Sequence, residues 1–283
     1  MFRRGRFSRP LVVLDMRIFV NEQPCDIPAG TTVAELRRQS KRDADLVILN
    51  GFPLAEERPL TDGDRLVLIR RGEIPAAEEL EALLVARHTP GVHGRLKKAH
   101  VGIAGVGGLG SSIAVALARC GIGRLTIADF DLVEPSNLNR QQYFVDQIGL
   151  PKVLALRENL ARINPYVQVA THHLRLTAAN IPQIFAEVDV MVEAFDGAEQ
   201  KAMLVETFLG SVADKPLVAA SGMAGFGPAN SIVSRQVGSR LILVGDGTSA
   251  AAPGQGLMAP RVGVAAHHQA NAVLRLLLGE DPV

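Results

Sequence analysis

The hexad Gly105-Val106-Gly107-Gly108-Leu109-Gly110 most narrows the folds open to this chain. It follows the apolar run Val101-Gly102-Ile103-Ala104, which reads as a buried strand, and it opens a helical pattern over residues 109–119. A second strand at 124–128 comes next, and strand, helix, strand is the order that builds a parallel sheet. Each glycine then has a task. Gly105 permits a tight turn, Gly107 lets a phosphate approach the backbone, and Gly110 lets the helix pack closely on the sheet with its amino end facing the anion. Asp129, closing the second strand, is placed to accept hydrogen bonds from ribose hydroxyls. Taken alone, the pattern implies a nucleotide, with a nicotinamide dinucleotide as the default ligand.

The alternation continues with helices at 151–163, 181–185 and 200–212 and strands at 168–171, 188–193 and 217–221. The expected fold class is therefore α/β, a Rossmann-like, doubly wound and mostly parallel sheet. A last helix at 264–278 carries apolar residues on several faces and reads as core or dimer packing. Residues 249–256, small and with little to bury, read as a mobile loop over the site.

The segment Asp129-Phe130-Asp131-Leu132-Val133-Glu134-Pro135-Ser136-Asn137-Leu138-Asn139-Arg140-Gln141 moves the reading away from a dinucleotide. It gathers carboxylates, amides and a guanidinium just beyond the carboxyl end of a strand, where open α/β sheets bind ligands. Arg140 can clamp phosphate oxygens bidentately and Lys152 can add a point charge. These are parts for a triphosphate.

Over roughly residues 87–280 the chain resembles the adenylating enzymes of the ThiF and MoeB type, relatives of ubiquitin-activating enzymes. The resemblance rests on the glycine loop, Asp129-Phe130-Asp131, Ser136-Asn137-Leu138-Asn139-Arg140-Gln141, Pro151-Lys152 and Arg162-Ile163-Asn164-Pro165, in that order. It implies ATP as the nucleotide: Asp129 on the ribose, Asn137, Arg140 and Gln141 around the phosphates, Lys152 neutralising them. Gly105, Gly107, Gly108, Gly110, Ser111 and Asp131 complete the nucleotide-facing set. The family's Asp-x-x-Asp-Asn-x-x-x-Arg run aligns with Glu193-Ala194-Phe195-Asp196-Gly197-Ala198-Glu199-Gln200-Lys201, so Asp196 is the expected Mg²⁺ ligand. Gly197 stands where the family has Asn, and Lys201 where it has Arg. The resemblance also implies a homodimer with a further arginine entering the site, for which Arg87 is the candidate. The implied reaction is adenylation of the terminal glycine carboxylate of a small ubiquitin-like sulfur carrier, with release of pyrophosphate. Alternatives are another acceptor on the same fold, a molybdopterin-type carrier or a modified tRNA base, or a scaffold that binds a carrier without turnover.

Residues 16–72 read as ββαββ: strands at 17–20 and 24–27, a helix at 33–39 capped by Thr31 and Thr32, and strands at 46–49 and 65–69. With Asn50-Gly51 and Asp62-Gly63-Asp64 at its turns, this segment resembles the ThiS-like, ubiquitin-like sulfur carriers of thiamin biosynthesis, a small β-grasp α+β domain. Thiamin biosynthesis is the pathway this implies. Residues 73–95 read as a helical linker and 96–283 as the adenylating domain. Residues 1–15 read as a disordered leader upstream of an alternative start at Met16, since the apolar run after Arg3, Arg4 and Arg6 is too short for a signal peptide.

With 30 basic and 29 acidic residues the formal net charge is +1, which gives no global field for nucleic acid. No apolar stretch is long enough to span a membrane. Two cysteines, Cys25 and Cys120, can build neither a disulfide framework nor a Cys-only zinc site, so a reducing cytoplasm is expected and a zinc site is not. Residues 121–283 contain no cysteine, which removes any sulfur-transferring thiol from the late loop at 245–256. The adjacent pairs His172-His173 and His267-His268 diverge on a strand or a helix and are not expected to share a metal.

Overall fold

The structure is a computed structural model and describes residues 15–73, 77–84, 88–89 and 91–283. The leader reading over 1–14 lies outside these residues, whereas Asp15, placed in that leader, is the first residue of a strand. The chain forms two compact units, 1–90 and 91–283. Among the described residues no helix is long and apolar enough to cross a membrane.

In the first unit β1 (Asp15–Val20) and β2 (Gln23–Pro28) form an antiparallel hairpin, Asp15 pairing with Pro28. Asn21 and Glu22 turn it with positive φ angles of 47° and 62°, the primed-turn geometry that suits the strand twist. Helix α1 (Val33–Ser40) opens on a capping box between Thr32 and Glu35. Strands β3 (Leu46–Leu49), β4 (Phe52–Pro53) and β5 (Arg65–Ile69) complete a sheet of order β2-β1-β5-β3-β4, with β5 parallel to β1. Helix α2 (Ala77–Leu84) follows. Ile18, Val33, Leu36, Leu66 and Leu68 make the core under α1. The two turn motifs hold each other: Asp64 accepts from Asn50 Nδ2 at 2.9 Å and from the Thr61 amide at 2.9 Å, and Asn50 Oδ1 accepts from the Arg65 amide.

The second unit begins with the short α3 (Val92–Leu96) and then alternates: β6 (His100–Ala104), α4 (Gly108–Arg119), β7 (Arg124–Ala128), α5 (Lys152–Ile163), β8 (Gln168–His172), α6 (Ile181–Ile184), β9 (Val190–Glu193), α7 (Ala198–Ser211) and β10 (Leu217–Ala220). A hairpin unread in the sequence, β11 (Val233–Val237) with β12 (Leu241–Gly245), extends the sheet before α8 (Ala259–Leu277). The order is β11-β12-β10-β9-β6-β7-β8, parallel except for the edge strand β11. The fold is the expected doubly wound one preceded by a ubiquitin-like unit. Ile113, Leu156, Leu160 and Val262 belong to a core shared by α4, α5 and α8, and Phe185, Leu204 and Phe208 to a core on the α6–α7 side. The Arg162-Ile163-Asn164-Pro165 run has a packing role: Asn164 Nδ2 donates to the Ala118 carbonyl at 2.9 Å, tying the end of α5 to that of α4. Helix α8 starts earlier than the sequence suggested because Pro260 is in its first turn, where a missing N–H costs nothing.

From β6 the chain winds one way to β7 and β8 and the other way to β9, β10 and β12. The crevice at the carboxyl ends of β6 and β9 is thus a topological switch point.

Candidate nucleotide site

The glycine loop crosses that switch point. Gly105 sits at φ +84°, and a Cβ there would lie 2.9 Å from the Ala194 carbonyl oxygen. At Gly110 a Cβ would stand 1.9 Å from the Gly105 oxygen, so only hydrogen fits where α4 passes over the turn. Gly107 differs: the nearest atom to a Cβ there is Gln141 Nε2 at 3.7 Å. Gly107 is also the N-cap of α4 and offers no side-chain cap, which leaves first-turn amides available to an anion. Val106 is held on both sides, its amide donating to Asp129 Oδ2 at 2.8 Å and its carbonyl accepting from the buried Tyr143 hydroxyl at 2.6 Å.

Gly105, Gly107, Gly108 and Leu109 line a cavity of about 610 Å³ in the second unit, whereas Gly110, expected to face the nucleotide, lies off it under the turn. Asp129 faces it while accepting one amide on each oxygen, from Val106 and from Asp131. Burial pushes its carboxyl above the usual range, against those amides and Lys152. Lys152, 6% exposed, donates to Asp131 Oδ2 at 2.8 Å; its two other donors have no protein acceptor among the described residues. Among the described residues Arg140 spends only Nη1, on Asn139 Oδ1 at 2.8 Å and the Ser136 carbonyl at 3.3 Å. Gln141, 8% exposed, lines the cavity with a buried Oε1 that accepts no hydrogen bond among the described residues. A buried acceptor left unpaired costs about 1–3 kcal/mol, so this one is set up for a donor brought by a ligand.

Two other expected contacts lie elsewhere. Ser111 is fully buried off the cavity, its hydroxyl donating to the Gly107 carbonyl at 2.6 Å and accepting from the Gln142 amide at 3.1 Å. Helical rotation turns it inward, so it braces the loop. Asn137 is also off the cavity, and its Oδ1 caps a 3-10 turn by accepting from the Glu134 amide. Arg87 lies outside the described residues.

At the end of β9, Glu193 is fully buried and accepts from Lys201 Nζ at 3.0 and 3.1 Å, from the Phe195 amide at 2.7 Å and from the Ala220 amide at 3.3 Å. Burial pushes its carboxyl up and Lys201 pulls it back. The third Lys201 donor goes to the Ala220 carbonyl at 3.2 Å, so this ammonium is saturated. Of the two lysines at the cavity, Lys152 has donors to spare and Lys201 does not. Asp196 is exposed at the rim, without a hydrogen bond or ion pair among the described residues.

Sequence reasoning missed one wall and one brace. Arg175, after β8, stacks its guanidinium 4.4 Å from the Phe130 ring centroid, and both line the cavity. Opposite, residues 247–251 line it after β12. Asp246 anchors that loop by accepting from the Thr248 and Ser249 amides, each at 2.8 Å, and from Arg261 Nη2 at 2.6 Å. Burial works to raise the Asp246 carboxyl, but the amides and Arg261 outweigh it and hold it well below the usual range. The buried Arg261 also donates to the Gly227 and Pro228 carbonyls, joining the loops after β10 and β12. A charged residue in the apolar first turn of α8 was the available signal, since a buried arginine must find acceptors.

No group of three or more His, Cys, Asp or Glu side chains placed to hold a metal occurs among the described residues. A lone carboxylate such as Asp196 fits an ion that arrives on phosphate oxygens, because Mg²⁺ is commonly held by one or two carboxylates plus substrate phosphates.

The ThiF family pattern matches residues 82–283, and the pattern described as ThiS-like ubiquitin matches residues 16–72. Over 136 residues the chain is 38% identical to the adenylyltransferase and sulfurtransferase MOCS3 of Aedes aegypti, covering 47% of this chain and 31% of that protein. Over 149 residues it is 32% identical to ubiquitin-like modifier-activating enzyme 5 of Caenorhabditis briggsae, covering 52% and 34%. The matches thus span about a third of these relatives' length. In fold, it is similar to the Escherichia coli tRNA N6-threonylcarbamoyladenosine dehydratase TcdA solved with AMP, at 21% identity and a TM-score of 0.65, covering 74% of this chain and 98% of that one. It is also similar to Escherichia coli MccB solved with ATP, at 23% identity and a TM-score of 0.53, covering 71% and 60%. The glycine loop at the switch point and the segments that close around it lie within the matched region, and the chain belongs to the ThiF family.

Proposed function

We propose that this chain is an adenylyltransferase that activates the terminal carboxylate of a small ubiquitin-like carrier protein with ATP. The observation that carries the reading is the convergence at the uncapped amino end of α4 of two cations with unused donors, Arg140 and Lys152. A carboxylate oxygen attacks the α-phosphorus, the bond to the β-phosphate bridging oxygen breaks, and pyrophosphate leaves with that electron pair. No protein nucleophile or proton transfer is needed, because the attacking group is ionised at neutral pH. The barrier lies in bringing anions together and in the charge that builds on the phosphate oxygens. Arg140, Lys152 and the α4 amides answer it, and Asp129 accepts from the ribose. Asp196 would hold Mg²⁺, which supplies further neutralisation of the phosphates when bound.

The named relatives support the adenylyl chemistry and the ubiquitin-like character of the acceptor, and not thiamin in particular. The proposal therefore names the carrier class, and the thiamin type is one arm of its test. Exchange of labelled pyrophosphate into ATP is expected with a purified thiamin-type or molybdopterin-type carrier and not with the same carrier stripped of its terminal glycines. Arg140→Ala and Asp196→Ala are each expected to lower exchange by at least about a hundredfold while the fold survives. Exchange that no carrier stimulates but a modified tRNA does would transfer the reading to the tRNA acceptor. A homodimer belongs to the same proposal: Leu132, Phe144, Val145, Ile148 and Leu150 are 40–74% exposed around one segment. Val145→Glu is expected to shift the sedimenting species from dimer to monomer, and a wild-type species that sediments as a monomer contradicts the dimer.

A further inference from the structure

The first unit closes its own carboxyl end. Strand β5 and the run Leu46-Val47-Ile48-Leu49 of β3 do not alternate, which marks strands covered on both faces. Leu66 and Leu68 point into the core beneath α1, and Ile48 (1% exposed) and Val67 (3% exposed) point the other way. What covers them is α2, whose Leu83 packs on Ile48 and Val67 beside Leu46 and Ile69. The chain is then held there by charge. Gly72 turns at φ +77°, the Glu73 amide donates to the Arg70 carbonyl at 3.3 Å, and Glu73 pairs with Lys41 at 2.9 Å. Glu79, on α2, accepts from Lys41 at 3.1 Å and from Asn21 Nδ2 at 2.8 Å. The Lys41 side chain is 16% exposed. Its ammonium is held above the usual lysine value, first by the Glu73 hydrogen bond and also by Glu79, against burial.

Resting on the adenylation reading, we infer that α2 caps the ubiquitin-like unit through Lys41, so that this unit is not the acyl substrate and the activated carboxylate arrives on a separate chain. A carrier used as substrate must present a free carboxylate on an extended tail. Here the residues after β5 continue as an amide-linked chain into a helix that is clamped to the domain's own sheet. To become a substrate this unit would have to undergo hydrolysis of a peptide bond near Gly72 and then lose three contacts to Lys41 and Asn21.

The test uses the full chain. Hydrogen exchange followed by mass spectrometry is expected to show α2 protected, with Lys41→Ala speeding exchange of the α2 amides at least about tenfold and leaving α4 and α5 unchanged. The conservative Lys41→Arg is expected to retain protection. An α2 that exchanges at the unprotected rate in the wild type, or that is indifferent to Lys41→Ala, overturns the cap. In parallel, the full chain incubated with ATP, Mg²⁺ and no other protein is expected to keep its intact mass. A fragment ending near Gly72, with or without AMP attached, shows that the unit is processed into a carrier and overturns the inference. The exchange readout needs no ATP, so failure of the cap and failure of the adenylation reading are told apart.

Discussion

Replacing Lys201 by methionine leaves Glu193 as a fully buried carboxylate facing no cation among the described residues. At 3.0 Å the Glu193–Lys201 attraction is about 5.5 kcal/mol for an effective dielectric of about 20. Removing one member of a buried pair typically costs about 3–5 kcal/mol. The Phe195 and Ala220 amides still serve the carboxylate, which places the expected loss near the lower figure, about 3 kcal/mol. For a unit of this size that lowers the thermal midpoint by roughly 6–12 °C. The loss carries a pH signature. Burial already raises the Glu193 carboxyl and Lys201 opposes it, so the variant raises it further. A carboxyl with a higher pKa in the folded state takes a proton there first, so stability falls as pH climbs from the unfolded to the folded value. The deficit of Lys201→Met is therefore largest at alkaline pH and shrinks as the pH falls and Glu193 takes up a proton in the variant. Thermal unfolding of wild type, Lys201→Met and the double variant Glu193→Gln, Lys201→Met as a function of pH checks it. The double variant is expected to recover at least half the loss at about pH 8, because no unpaired charge remains buried. A Lys201→Met protein within about 1 kcal/mol of wild type at about pH 8, or a deficit independent of pH, refutes the argument.

The glycine loop offers a paired test. Gly110→Ala drives a methyl into the Gly105 carbonyl and is expected to lower the thermal midpoint of the second unit and abolish pyrophosphate exchange together. Gly107→Ala meets only Gln141 Nε2 at 3.7 Å, so its midpoint should fall less while ATP affinity, read by calorimetry, drops as the methyl occupies the phosphate approach; equal effects of the two on stability would contradict the separate roles.

The legible parts were those whose meaning is local. A glycine that needs φ +84° or leaves 1.9 Å for a side chain advertises itself, and strand, loop and helix follow one another in sequence around it. The β-grasp order was legible because its turn residues are short-range, Asn50 and Asp64 differing by only 14 positions. The hairpin β11–β12 was not, because Val233-Ser234-Arg235-Gln236-Val237 is an exposed edge strand with few apolar residues to display a period. Ser111 and Asn137 were drawn toward the nucleotide by their place in the motifs. Their hydroxyl and amide are spent on backbone groups of the loop and turn themselves, which only coordinates reveal. The same holds for Arg175, 45 residues beyond Phe130 in the chain and stacked on it in space.

The departures at Gly197 and Lys201 suggested a degenerate site, and geometry weighs the two differently. The family run has Asp and Arg at the positions of Glu193 and Lys201. Glutamate is one methylene longer than aspartate, lysine is shorter than arginine, and here the two still meet at 3.0 and 3.1 Å with every ammonium proton used. The longer acid and the shorter base still close the pair here, so Lys201 is no sign of decay while Glu193 faces it. Gly197 is the N-cap of α7 and supplies no side-chain cap, so it forgoes a contribution of about 1 kcal/mol or less to helix stability and removes an amide from the rim beside Asp196. The cations that face the cavity with donors to spare, Arg140 and Lys152, lie on other segments, and neither exchange touches them. A scaffold reading therefore rests on one missing amide, against a cavity that Arg140 and Lys152 still face with donors to spare.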